Sequence, residues 1–194
     1  MPEQIRDGGG SGYLARVNND GQLITRATAV EQRLHSAVDQ NYYEATTGQI
    51  ILTDGVETPM IYIKNLNVDP NKVLVIDRVF LDFWPSTDGV GSGILEYYRN
   101  PTVVGGTDMD VYNTNFSSGI EPTGTFVKQM TTMTGDEWWA TPIIPNSAAA
   151  IEEGRFVLPQ GRGFGISVQA PASNTSMRIN INVAMYIFDI TLIQ

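Results

Sequence analysis

The chain has 194 residues, 42% hydrophobic and 17% charged, which is enough apolar material for one core of ordinary size and too much for a disordered polymer. The net charge of −9 opposes phosphate backbones and anionic lipid, so neither nucleic acid nor a membrane surface has electrostatic support as a partner. Cysteine is absent, which excludes disulfides, thiolate nucleophiles and cysteine zinc sites.

The first seven residues are polar and lack the apolar stretch of a secretory leader, and no run approaches the ~20 apolar residues of a membrane span. Gly8-Gly9-Gly10-Ser11-Gly12 has no side chains to bury. Tyr13–Val17 has strand character, and Asn18-Asn19-Asp20-Gly21 is a turn signal that favours a hairpin. Residues 1–40 are therefore expected to be an N-terminal arm and linker, of which residues 1–21 order only against a partner. Tyr13, Leu14, Arg16, Val17 and Leu23 are its candidate contact residues. Within it, Thr28 and Glu31 match a capping box, and Val30, Leu34 and Val38 recur at a spacing of four. A short helix over 28–40 competes there with continued β structure.

Residues 41–194 are expected to form an all-β sandwich domain of jelly-roll type. Gln49–Thr53 and Met60–Ile63 are short apolar runs separated by Asp54-Gly55. Val73–Trp84 is apolar on both parities, as in a strand covered on both sides, with Asp77 the one charge among Val73, Val75, Val79, Leu81 and Phe83. Ile94–Tyr98 follows a glycine-rich turn. Residues 100–124 are rich in Asn, Gly, Thr, Ser and Pro and are expected to be a long loop, hence a candidate interaction surface. Thr125–Met130, Arg155–Leu158 and Gly163–Val168 are further strands. In the last segment Met177, Ile179, Ile181, Val183, Met185 and Ile187 alternate with mostly polar residues, which is a long strand with one buried face running centrally in a sheet.

Chemistry-bearing patterns are sparse. A Ser-His-Asp triad would need His35, the sole histidine, and no nucleophile elbow is present, so His35 is read as a surface or arm residue. Glu96, Glu137, Glu152, Glu153, Asp82 and Asp136 offer carboxylates for a glycosidase pair, but an acidic chain supplies such acids at edges and turns by chance. Asp108, Asp110, Asn113 and Asn115 are hard oxygen ligands without calcium-loop spacing, and are read as a polar loop. The glycines of Gly161-Arg-Gly-Phe-Gly165 lack the Lys-Ser/Thr of a phosphate loop and are read as turn or flexible chain. Trp138-Trp139 and Tyr97-Tyr98 are candidate interface aromatics or a sugar-stacking platform, although neighbours on a strand face opposite ways. No catalytic residue, metal ligand or cofactor is assigned.

Two blocks resemble a group of bacteriophage virion structural proteins. The first is Gly12-Tyr-Leu-Ala-Arg-Val-Asn-Asn-Asp-Gly-Gln-Leu-Ile-Thr-Arg26; the second is Thr46-Thr-Gly-Gln-Ile-Ile-Leu-Thr53 with Glu57-Thr-Pro-Met-Ile-Tyr-Ile-Lys-Asn65. The resemblance spans about residues 8–85. It implies a capsid decoration or cement subunit with a β-sandwich domain, located in the virion after assembly in the host cytoplasm, whose partners are the major capsid protein or other virion proteins. A homo-oligomer, a trimer by preference, would cover open sheet edges. The competing expectation is a carbohydrate-binding domain of a tail fibre or host-attachment device.

Overall fold

The computed structural model describes residues 4–6, 14–17, 23–24, 41–84, 93–116, 118–143, 149–151, 156–171 and 177–193. Residues 1–31 and 32–194 form two separate units.

The first unit is a small antiparallel meander of β1 (Gln4–Arg6), β2 (Leu14–Val17) and β3 (Leu23–Ile24). Gln4 lies opposite Arg16, Arg6 opposite Leu14, and Val17 opposite Leu23. The Asn-Asn-Asp-Gly turn signal falls between β2 and β3, where the hairpin it favours is required. The arm expected to find strand partners only on a neighbour thus pairs with itself. The helix considered over 28–40 and His35 lie outside the described residues.

The second unit is the sandwich. Its strands are β4 (Tyr42–Thr46), β5 (Ile50–Ile51), β6 (Glu57–Asn65), β7 (Lys72–Trp84), β8 (Gly93–Val104), β9 (Thr107–Asp108), β10 (Asp110–Asn113), β11 (Gly124–Lys128), β12 (Thr132–Ile143), β13 (Ala149–Ile151), β14 (Phe156–Leu158), β15 (Gly163–Gln169) and β16 (Arg178–Asp189), followed by a 3-10 turn at Ile190–Ile193. The first sheet has the order β10-β4-β16-β7-β13, with β14 further along the same edge of β7 and β5 beside the start of β16. The second sheet has the order β12-β8-β15-β6-β11-β9. No α-helix occurs among the described residues.

Eight strands trace a jelly roll: β4-β16-β7-β14 in one sheet faces β6-β15-β8-β12 in the other. Between these strands every connection crosses to the opposite sheet, except that from β8 to β12, which are neighbours. The long loop expected over 100–124 is instead structured. Strand β8 runs to Val104, and the insertion that follows adds β9 and β11 to the far side of the second sheet and β10 to that of the first. Gly105 and Gly106, both at positive φ, begin it, where a side chain on either would press into Thr131 or Val127.

The core lies between the sheets. Met177, Ile179, Ile181, Val183 and Met185 from β16 and its approach meet Ile61 and Ile63 of β6, Leu95 and Tyr97 of β8, and Ile166 and Val168 of β15, all nearly inaccessible. Burying each such side chain contributes about 1.5–3 kcal/mol. The period-two face of β16 is the core face, and β16 lies between β4 and β7.

Strand β7 changes its core-facing parity along its length. Ala184 lies opposite Arg78 and Met185 opposite Ile76, so Asp77 is an extra, bulged residue. The bulge switches the core-facing set from Leu74 and Ile76 to Val79, Leu81 and Phe83. Asp77 is buried and accepts a hydrogen bond from the Tyr42 hydroxyl at 2.8 Å. Val73 to Asp77 are all buried, so the first half of β7 is covered on both faces as expected, whereas Phe80 and Trp84 in the second half are exposed.

Asn65, fully buried at the end of β6, fastens one end of the sandwich. Its Nδ2 donates to the carbonyls of Lys72 at 3.1 Å and Leu158 at 2.9 Å, and its Oδ1 accepts from the Asn67 N–H at 2.9 Å. Its backbone N–H donates to the Arg162 carbonyl, and its own carbonyl accepts from Gly161 N–H. One side chain thereby joins the ends of β6, β7 and β14, and its backbone holds the turn into β15.

Candidate functional site

The candidate arm residues divide by position. Leu14, Arg16 and Val17 lie on β2, the middle strand of the N-terminal meander, and Leu23 lies on β3. Tyr13 is outside the described residues.

The four candidate interface aromatics do not form one surface. Between Glu137↔Tyr98 and Trp139↔Tyr97 the register slips by one residue, which places Trp138 in a β-bulge of β12. Trp139 is 38% exposed, and its ring stacks on Tyr97 at 5.1 Å between centroids. Tyr97 has no accessible surface and continues the stack inward to Phe156 at 5.9 Å and Phe164 at 5.8 Å. The expectation of Tyr97 as an interface residue is corrected: its parity on β8 turns it into the core. Its hydroxyl has no hydrogen-bond partner among the described residues, and burial pushes its ionisation above the usual phenol range.

Tyr98 points the other way, to the outer face of the second sheet, but it is also covered and is not a docking aromatic. It packs with Tyr62, Met130 and Met133 in a small apolar cluster separate from the main core. This cluster explains the glycines that the sequence suggested were turn or flexible chain. Gly161, at φ +75, is in the turn before β15. Gly163 and Gly165, by contrast, are strand residues beneath Tyr62 and Met133, where a Cβ would come within 2.8 Å of the Tyr62 ring or 2.4 Å of Met133 Sδ.

Beside that cluster, three strands bring together two carboxylates and two hydroxyls. Glu57 comes from β6, Glu96 and Tyr98 from β8, and Ser167 from β15. The Tyr98 hydroxyl lies 2.8 Å from Glu57 Oε1 and 3.2 Å from Glu96 Oε2. The Ser167 hydroxyl lies 2.7 Å from Glu57 Oε1 and 3.0 Å from Glu96 Oε2. Glu96 and Tyr98 share the outward parity of β8, and the pairing of Ser167 with Glu96 sets Ser167 beside them. Burial pushes the Glu96 carboxyl up; the Ser167 hydrogen bond opposes that, the Glu57 charge adds to it, the Tyr98 hydrogen bond opposes it and Glu137 adds a little more, with a net rise. Burial and then the bond to Glu57 hold the Tyr98 hydroxyl above the phenol range.

Of the acids considered for glycosidase work, the structure places Glu96 and Glu137 near one another, and Glu57 was not among those considered. Asp82 lies on the outer face of the first sheet, and Glu152 and Glu153 are outside the described residues. Glu57 left no signal in sequence, because it stands 39 positions from Glu96 and only strand order joins them.

Other concavities are open. A groove of 650 Å³ is lined by Arg99, Asn100, Arg162, Phe156, Leu158 and Phe164, with Asn100 in the left-handed region at φ 48 and its Oδ1 accepting from Gly163 N–H. A second, of 530 Å³, lies along the insertion between Asp108, Asp110, Tyr112 and Glu121. Of the oxygen-rich loop, Asn113 is engaged with its own backbone neighbourhood, donating to the Ile120 carbonyl and accepting from Asn115 N–H. Among the described residues no three His, Cys, Asp or Glu side chains are placed to hold a metal ion. No helix among them is long and apolar enough to cross a membrane.

In comparisons with known proteins, no family model matches this chain and no curated protein sequence matches it.

Proposed function

We propose that this protein is a structural subunit of a bacteriophage particle, a capsid decoration or cement protein that binds neighbouring subunits through its N-terminal segment. The reading starts from the resemblance over residues 8–85. The observation that carries it furthest is the N-terminal meander. Among the described residues its ladders are three and two residue pairs long, and both outer strands, β1 and β3, have one edge with no strand beside it. A sheet this small is marginal alone, and gains most when a neighbour adds strands or packs on a face. Attached to a jelly roll with a core of its own, it suits lattice contact, where weak sites repeated over many copies become durable.

The partner class is the major capsid protein or another virion protein, and a closed homo-oligomer, a trimer by preference, fits the need to cover strand edges. The test is co-sedimentation with shells of the parent phage. The full chain is expected in the pellet; a variant lacking residues 1–31 is expected to melt like the full chain yet stay in the supernatant. Equal binding by both, or by neither, refutes this reading. Glycan binding abolished by Trp139→Ala would favour the carbohydrate-recognition alternative.

A further inference from the structure

We infer that Glu57, Glu96, Tyr98 and Ser167 form a proton-sharing ring that clasps three neighbouring strands of the second sheet and slackens as pH rises. Four oxygens, Tyr98 Oη, Glu57 Oε1, Ser167 Oγ and Glu96 Oε2, are joined in sequence by contacts of 2.7 to 3.2 Å. Each close oxygen–oxygen contact is favourable only when a hydrogen lies between the two atoms. The two hydroxyls supply two hydrogens, and ionised carboxylates supply none.

The shortest contacts assign them. Ser167 and Tyr98 both donate to Glu57, at 2.7 and 2.8 Å. That leaves Glu96 Oε2 facing two hydroxyl oxygens at 3.0 and 3.2 Å with no hydrogen left. A proton on Glu96 completes the third bond, most directly to Ser167, and removes the repulsion between two carboxylates that share the same hydroxyls. The balance is simple: water supplies one proton, Glu96 holds it, and no covalent bond other than O–H changes.

The charged groups facing Glu96 act in the same direction, against the hydrogen bonds of Ser167 and Tyr98, and the net effect is a rise. Glu57 across β15 and Glu137 on β12 are both acidic, and the hydroxyls of Tyr98 and Ser167 are neutral. Burial of Glu96 also favours the uncharged form. Because the ring spans Glu57 on β6, Ser167 on β15 and Glu96 on β8, losing the proton loosens the middle of the sheet and not a loop.

The sign follows from linkage. A carboxyl held above its unfolded value takes up more protons when folded, so its contribution is fully present below about pH 4.5, the ordinary value, and is lost as pH rises through the folded value. The inference is independent of any role in a virion.

The test is carbon-13 NMR titration of the glutamate carboxyl carbons in the full chain, together with unfolding midpoints between pH 4 and 8. Glu96 is expected to titrate above the ordinary range and to move down toward it in Glu57→Gln. Glu96→Gln, whose amide hydrogen replaces the shared proton, is expected to unfold at a higher midpoint than the native chain at pH 8 and to flatten the profile. Titration of Glu96 in the ordinary range, or a pH profile identical in native chain and Glu96→Gln, overturns the ring. If Glu96→Gln does not fold, the titration of the native chain decides alone.

Discussion

Replacing Asn65 by alanine tests whether one side chain holds an end of the sandwich. The change removes one hydrogen bond from each of three backbone groups: the carbonyls of Leu158 and Lys72 and the N–H of Asn67. The Leu158 contact is buried, so its loss costs about 1–3 kcal/mol. The other two are part-buried and water can reach them, which limits each to about 0.5–1.5 kcal/mol. A loss of about 2–6 kcal/mol follows, or roughly 4–24 °C in Tm for a body of this size. Urea unfolding followed by tryptophan fluorescence measures it. Asn65→Asp sharpens the reasoning, because it keeps the shape and the acceptor but removes both donors. That carboxyl would sit against two carbonyl oxygens, which favours its protonated form when folded, so part of the loss is expected to return as pH falls below its raised value. Asp69→Ala, which removes one exposed bond to Asn71 N–H, is the control and should cost under about 1 kcal/mol. An Asn65→Ala protein within about 1 kcal/mol of the native one would show that the three strand ends are held by backbone pairing alone.

Tyr97→Phe removes a buried hydroxyl without a partner among the described residues, and is expected to be neutral or about 1 kcal/mol stabilising in urea unfolding. A loss above 1 kcal/mol would mean that the hydroxyl is satisfied. Gly165→Ala places a methyl 2.4 Å from Met133 Sδ and 2.9 Å from Pro101 Cγ and should cost about 1–3 kcal/mol. In a double-mutant cycle with Met133→Ala that cost is expected to shrink, and strict additivity would refute the close packing over β15.

What could be read from sequence follows how each strand is buried. Met177 to Ile187 was legible because β16 lies between two neighbours with one face on the core, so burial wrote its period into the residues. Strand β12 left no such mark. Among the described residues it pairs with β8 alone, and Thr132, Thr134, Asp136, Glu137 and Ala140 are all exposed, so nothing forces alternation. The insertion strands β9 and β10 are two and four residues long and read as polar loop. The bulge at Asp77 was not legible, because it is set by the register against β16 and not by the residues of β7 itself. The carboxylate ring was the least legible, since Glu57 and Ser167 are 110 positions apart and each is ordinary in its local context.

The same topology restricts how a neighbouring chain could add to the sandwich. Among the described residues each lateral edge is either short or interrupted. On one side the edges are β9 and β10, and on the other β13 and β14 have three residues each. The one long edge among the described residues, β12, has Gly135, the Trp138 bulge, two exposed acids and Pro142, which has no N–H to offer. These are the features by which sheets resist strand addition. Under the proposed lattice role, strand pairing with a neighbour would fall to β1 or β3 of the N-terminal meander, and the body would be left with its faces. On the outer face of the first sheet, Ile51, Arg178 and Trp84 lie in one cross-strand row, with Ile51 63% and Trp84 44% exposed. Binding that survived removal of residues 1–31 would thus direct attention to that row, because the edges of the body are poorly made for it.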